Sequence, residues 1–539
     1  MKTPNTKSSF WVIFVIASLL LACFGSGGSS QAQAASGPAP SKQALGRRGN
    51  GMPSVITTIT VNSTTDPDTN LGTTCSTAPC TLRRAIVQAR TAAKPVVIAF
   101  NIPTTDLGYN ATLQIWKIQL LGTAVRYLNG DITIDGSTQP NGRATGPKII
   151  LVGAGTGGND GLKLGESAGQ NNNTLRGLGF QNFFTHVYVT TNGNLIENNW
   201  FGLSDNGSLP YLRAGNAENG SGSAGVALSA GVDVNIIQNN TFLGFDGVAV
   251  ALRGEDTTFQ NNKIGTMADG QITGKQTAAG LLCSTVDWLG GGGISMEGPR
   301  QIVQNNIIAG LRQEISGTST QPDAISVQST CDDCQILNNK IGLDAVDHQI
   351  GVCGQGIDIS NTQRVLIKSN TLVDTYHAAI FINGAASDAN TLSRNLIRRS
   401  TPWLLPSGAT KADDAILRFS ALPDAFEFFN PAKVTSINGT AVSGNAGTGS
   451  ACPNCTIELF LDDNDSIKEA LQYLGTTTAN ASGNWSFTLA APLAQGTGIR
   501  TTSTTAIFNT IPAMNAGTSV GLSAYYSNGY KVYLPQLRK

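Results

Sequence analysis

Charge is scarce in this chain: 13% of its 539 residues are Asp, Glu, Lys or Arg, and 35 basic residues cancel 35 acidic ones. A nucleic-acid-binding protein carries a basic excess, so that class is excluded. The apolar run Phe10–Phe24 falls short of the roughly 20 residues a membrane-spanning helix needs. It reads as the core of an export signal rather than an anchor. Disorder is excluded too, because 40% of the residues are hydrophobic and can fill a core.

What the chain has instead is a ladder of asparagine pairs. LIENNWFG, IIQNNTFLG, FQNNKIG, IVQNNIIAG and ILNNKIG place apolar residues on both sides of each pair, and LIKSNTLV and LSRNLIRR are decayed copies. The second Asn of each falls at Asn199, Asn240, Asn262, Asn306, Asn339, Asn370 and Asn395, with steps of 41, 22, 44, 33, 31 and 25 residues. A variable period with a floor near 22 suits a solenoid whose coils swell at one turn. Stacked amides can bond to the coil above, and Asn accepts the left-handed backbone of a sharp corner. The fold expected is all-β: a right-handed single-stranded parallel β-helix with a short N-terminal helical cap and a C-terminal β-sandwich. A second register opens strands at Asp160, Asp246, Asp323, Gln355 and Asp414. Strand alternation then sends Leu162 and Leu164, Val248 and Val250, Ile325 and Val327 inward.

Six segments follow. Residues 1–34 form a signal peptide, with a basic start, an apolar middle and small residues at the exit. Ala32-Gln33-Ala34 suits ordinary cleavage, whereas Leu20-Leu21-Ala22-Cys23 resembles a bacterial lipobox that would leave Cys23 lipidated; both routes stay open. Residues 35–54 are a flexible spacer, 55–95 a cap, 96–430 the β-helix, 434–527 an immunoglobulin-like sandwich and 528–539 a tail. Apart from Cys23, eight cysteines remain. In an exported chain they read as disulfides, locally Cys75 with Cys80, Cys331 with Cys334 and Cys452 with Cys455. The two CxxC pairs sit in different domains and no thioredoxin-like pattern surrounds them, which disfavours zinc and redox chemistry.

The cap carries a resemblance. CTLRRAI, with Cys80, Leu82, Arg83, Ala85 and Ile86 matching and Thr81 and Arg84 departing, resembles the motif that names the CSLREA domain of exported bacterial β-helix proteins. ITIDGSTQPNG, from Ile132 to Gly142, resembles the segment with which those proteins enter their coils. The resemblance covers roughly residues 56–430 and implies a secreted or cell-surface bacterial β-helix. It implies no single activity.

Chemistry has to be argued from residues. The best constellation is Asp358, Lys368, His377 and Arg394 as acid/base and charge-neutralising groups, with Arg364, Tyr376 and Trp288 as substrate contacts. Lys368 and Arg394 are read as replacing the first Asn of the ladder. Asp323 and Asp358 are placed too far apart for an inverting pair, and the Asp residues that open strands read as turn caps. The Gly-His-Gly and Asn-Thr-Asp signatures of polygalacturonases are absent, as is the Arg-x-Pro-x-x-Arg pattern of pectate lyases. Asp462, Asp463 and Asp465 resemble a loose calcium loop without EF-hand spacing, and read as a solvated turn. No organic cofactor is expected; calcium is left open. The function expected is binding of a polysaccharide or cell-surface glycan, or extended scaffolding, by a monomer that meets a membrane only through a lipid on Cys23. The alternative is a polysaccharide lyase or glycoside hydrolase working in a groove on the β-helix.

Overall fold

Each coil lays one strand in each of three sheets. Sheet A runs through eleven strands from Thr57–Val61 to Thr391–Ser393, sheet B through eleven from Tyr109–Asn110 to Leu396–Arg398, and sheet C through ten from Tyr127–Leu128 to Ile416–Phe419. Pairing within them is parallel except for the first hairpin of sheet B. The computed structural model describes residues 55–66, 75–76, 79–120, 127–154, 160–209, 211, 224–245, 247–272, 292–311, 323–375, 377–384, 386–387, 389–400, 415–419, 431–445, 453–463, 465, 467–505 and 522–527. Residues 1–54, including Cys23, and the tail lie outside them, as do Trp288, Tyr376, Cys452, Asp246 and Asp414.

One inward residue per strand stacks on its counterpart in the next coil. Sheet A contributes Leu175, Ile196, Ile237, Phe259, Val303, Ile336, Ile367 and Leu392, all buried. In sheet B Phe180, Phe201 and Phe242 stack on successive coils, their ring centroids 5.0 and 4.8 Å apart. Coil rise, about 4.8 Å, thus matches an offset aromatic stack. The residues predicted to point inward do so, with one exception. Val248 packs with Ala224, Ala227 and Ala251 on the outer side of sheet C, and Val250 and Leu252 fill the core instead.

The asparagine pairs divide two tasks. The first Asn takes the left-handed backbone, φ between 55° and 56° at Asn198, Asn239, Asn261, Asn305 and Asn338, and turns the chain from sheet A to sheet B. The second is buried and points inward. Asn262 is typical: its Nδ2 donates to Ile237 O at 2.9 Å and to Asn306 Oδ1 at 3.3 Å, while its Oδ1 accepts from Asn240 N at 2.9 Å and Asn240 Nδ2 at 3.0 Å. The same bonds run from Asn199 to Asn395. A buried amide with every group satisfied is the arrangement that burial demands. A shorter amide stack, Asn173, Asn194 and Asn235, stands where the chain enters sheet A.

Both ends of the stack are covered. Thr81 caps the helix Leu82–Thr91 by accepting from Arg84 N, and Leu82, Ala85, Ile86 and Ala89 face the core. Arg83 is buried beside them and pairs with buried Asp66 at 2.5 Å. At the other end a β-sandwich of three and four strands closes the core, placing Phe460 and Ala470 against the last coils. Ala470 and Ile397 exchange backbone hydrogen bonds at 2.9 and 3.0 Å. Glu458 accepts from Ser393 Oγ and Arg394 N, and Glu469 from Arg399 N, so unpaired groups of the final turn find partners. Cys75–Cys80 and Cys331–Cys334 are disulfides, and Cys353 and Cys455 are also disulfide-bonded.

Candidate functional site

Alternate coils throw out a hairpin from the end of their sheet B strand. Ser204 N bonds Leu209 O at 2.8 Å, Met267 N bonds Gln271 O at 3.0 Å, and Leu343 pairs with Gln349. The turns use Asn206-Gly207 and Asp269-Gly270, with φ of 74° and 86° at the glycines, the backbone such turns require. The arms stack edge to edge through Ala268 N to Gly207 O and Ala345 N to Gly270 O. A two-stranded arm is as wide as two coil rises, roughly 9–10 Å, which explains why the coil of Thr241 carries none among the described residues. Leu203, Leu243, Met267, Ile272, Ala309 and Ile350 are buried beneath the arms.

A cavity of about 510 Å³ is lined by the first two arms, Trp200 and the loop carrying Thr145 and Gly146. Trp200 projects from the outer face of sheet B, in register with Thr241 and Gly179. A Cβ on Gly146 or Gly207 would collide with its ring, at 2.4 and 2.6 Å, so only glycine lets the loops close around it. Arg143 lies over the indole, Cζ 4.6 Å from the ring centroid, and donates through Nη1 to Asp205 O. Its Nε and Nη2 are buried without a partner. Burial lowers the guanidinium to about 10, with the Asp205 charge opposing, so it stays charged at neutral pH. Asp205 is itself held by Lys117 Nζ at 3.0 Å and Gln181 Nε2 at 2.9 Å. Asn206, Ser208 and Asp269 add an amide, a hydroxyl and a carboxylate to the walls.

A second cluster lies on sheet C. Asp358 projects from the strand Ile357–Ser360, in register with Ser326 and Phe381. Asp323 precedes the strand of the coil before and accepts from Gln355 N at 2.8 Å. Burial lifts Asp323 to about 7, against the hydrogen bond from Gln355, and the charge of Asp358 adds to the rise. Burial lifts Asp358 to about 6. Asp358 Oδ1 and Gln355 Oε1 are buried with no hydrogen-bond partner. Asp323 is thus a turn cap, as its sequence suggests, and also an acid that feels Asp358.

The other residues singled out from sequence fall on different faces. His377 lies in the turn that leads into sheet C, its N bonded to Gly354 O at 3.4 Å, one coil beyond Gln355. Lys368 is exposed on sheet A, in register with Leu337 and Ser393. It does not replace the first Asn of the ladder; Ser369, with φ 58°, takes that place, and the motif is read one residue out of step. Arg394 does hold the corner, at φ 54°, but under the sandwich, over the Tyr473 ring at 5.2 Å. Arg364 sits at the opposite corner, paired with Asp333 at 2.7 Å and Asp332 at 3.3 Å. Asp358 and His377 therefore share a side of the helix, whereas Lys368, Arg364 and Arg394 do not join them. Trp200 and Arg143 were not singled out by sequence; the signal available was a Trp at the first outward position after an Asn pair.

One family description and several solved structures are similar to this chain. A family described as right handed beta helix region matches residues 224–402. Among solved structures, the A-module of the Azotobacter vinelandii mannuronan C-5 epimerase AlgE6 aligns over 62% of this chain and 93% of its own, at 12% identity and TM-score 0.27. Tailspike protein 2 of Escherichia coli O157:H7 bacteriophage CAB120 aligns over 76% of this chain and 61% of its own, at 11% identity and TM-score 0.23. A tailspike mutant of Escherichia coli bacteriophage HK620, solved with a pentasaccharide, aligns over 75% and 85% at 12% identity and TM-score 0.21. No curated protein matches the sequence. The three parallel sheets give the chain the fold of a right-handed parallel β-helix, and residues 224–402 within it match that family description.

Proposed function

We infer that this protein is exported and binds a carbohydrate in the cleft at Trp200. The observation that carries this reading is the cavity of about 510 Å³ lined by an indole, two hydroxyl side chains, an amide and a carboxylate. Aromatic rings pack against the C–H faces of sugars while a few placed polar groups read the hydroxyls. The arms that present those groups rest on a buried apolar layer, so the site is held in shape before a ligand arrives. Export rests on the basic and apolar N-terminus, with the cell surface reached by lipid on Cys23 or by secretion. Retention of the full chain on a panel of immobilised polysaccharides tests the binding. Trp200→Ala is expected to weaken it by tenfold or more, about 1.4 kcal/mol. Equal retention of the variant would contradict this assignment.

A second reading concerns turnover, and it rests on Asp323 and Asp358. Two carboxyl groups held near 7 and 6 leave one protonated and one ionised around pH 6.5, the state an acid/base pair needs. On this reading Asp358→Asn abolishes release of unsaturated ends from a polysaccharide, and Lys368→Ala leaves it unchanged.

A further inference from the structure

We propose that Asp462, Asp463 and Glu469 form a calcium site at the seam between the β-sandwich and the last coil. One carboxylate oxygen from each lies within 4.8 Å of the other two. Asp462 is 0% exposed and Glu469 1%, while Asp463 is half-buried and Asp465 exposed, so two acids of the group are withdrawn from solvent. Asp462 Oδ2 accepts from Arg500 Nε, which leaves Oδ1 buried with no hydrogen-bond partner. A buried oxygen without a donor is destabilising, the more so when it is charged, and a cation removes that cost. Three acidic side chains share the one Arg500 guanidinium, so a divalent cation would offset charge that burial disfavours.

The donor set selects the ion. It holds oxygen only, with no imidazole or thiolate, which suits a hard cation and disfavours zinc. Irregular carboxylate geometry completed by water suits calcium, whereas magnesium demands a near-ideal octahedron. The position gives the ion a role. Glu469 Oε1 accepts from Arg399 N in the last coil, and the next residue, Ala470, pairs with Ile397. A cation bound at Glu469 would therefore brace the contact through which the sandwich covers the open end of the β-helix. This inference does not depend on the carbohydrate reading.

The test uses the full chain after chelation, titrated with calcium and with magnesium by calorimetry and followed by thermal unfolding. One calcium per chain is expected, with Kd on the order of 0.1–1 mM as in other extracellular modules, together with a rise in Tm. Glu469→Gln keeps the acceptor for Arg399 N, and Asp463→Asn alters a half-buried side chain. Each is expected to weaken calcium at least tenfold and to remove the Tm rise while leaving the circular dichroism of the chain unchanged. Absence of saturable binding, or calcium affinity unchanged in both variants, would overturn the site. Magnesium bound as tightly as calcium would overturn the choice of ion.

Discussion

Two corners of the coil solve the same backbone problem with opposite chemistry. Where sheet A turns into sheet B, left-handed residues are followed by inward asparagines that are at most 5% exposed. Where sheet C turns into sheet A, the left-handed residues include Val234, Asp256, Arg300, Asp333 and Arg364, and they face solvent. There Arg300 pairs with Glu255 at 2.6 Å and Asp256 at 2.8 Å, and Arg364 with Asp332 and Asp333, an alternation of charge from coil to coil. The first corner buries backbone carbonyls that accept from amides, so side-chain identity is constrained. At the second the left-handed residue is exposed, as it is at the first, but the buried residue behind it varies: Asn194 and Asn235 stack as amides, whereas Thr257, Gln301 and Val365 take the same place in later coils. The bonds asked of the buried residue, and not the turn itself, decide how strictly a corner is written.

The largest effect expected is at the buried corner. Asn262→Ala strands Asn240 N and Nδ2 as well as Ile237 O, and should cost about 3 kcal/mol or more, read as a lower urea midpoint. Asp323 sharpens the contrast, as a half-buried acid whose one hydrogen bond does not offset its burial. A carboxyl raised in the folded state binds its proton more tightly there than in the unfolded chain. Its contribution to stability therefore falls as pH rises from about 4 towards about 7 and is flat above. Asp323→Asn should gain about 1 kcal/mol or more at pH 8 and nothing near pH 3, measured as Tm against pH. At the exposed corner Arg364→Ala should cost under about 1 kcal/mol and lose even that in high salt. Smallest of all is Asn305→Gly, where φ is 56° and the side chain is exposed; the change should lie within about 0.5 kcal/mol.

The coils were legible because each Asn pair carries two constraints at adjacent positions, a left-handed backbone and a buried amide, and both select the same residue. The charged corner was illegible for the converse reason: its residues share a backbone conformation and no side-chain chemistry. Lys368 shows how register fails when the pair decays, since LIKSN keeps only the second Asn and invites a shift by one place. Asp323 and Asp358 were visible as residues that open or lie within strands, but their raised pKa values come from burial created by neighbouring coils. Asp462 was misjudged as solvated for a related reason. Its burial depends on Arg500, 38 residues away, and on a sandwich packed against the end of the solenoid. The Trp200 cleft joins loops from three coils, and no local pattern announces that meeting.

The most direct test of the claim that buried amides hold the coils in register compares Asn306→Ala with Arg300→Ala in urea at about 0.1 M and about 1 M salt, where the screening length falls from about 10 Å to about 3 Å. The account predicts a large loss for the asparagine variant that salt does not change, and a small loss for the arginine variant that shrinks as salt rises. Equal losses, or an arginine effect that exceeds the asparagine effect at both salts, would contradict it.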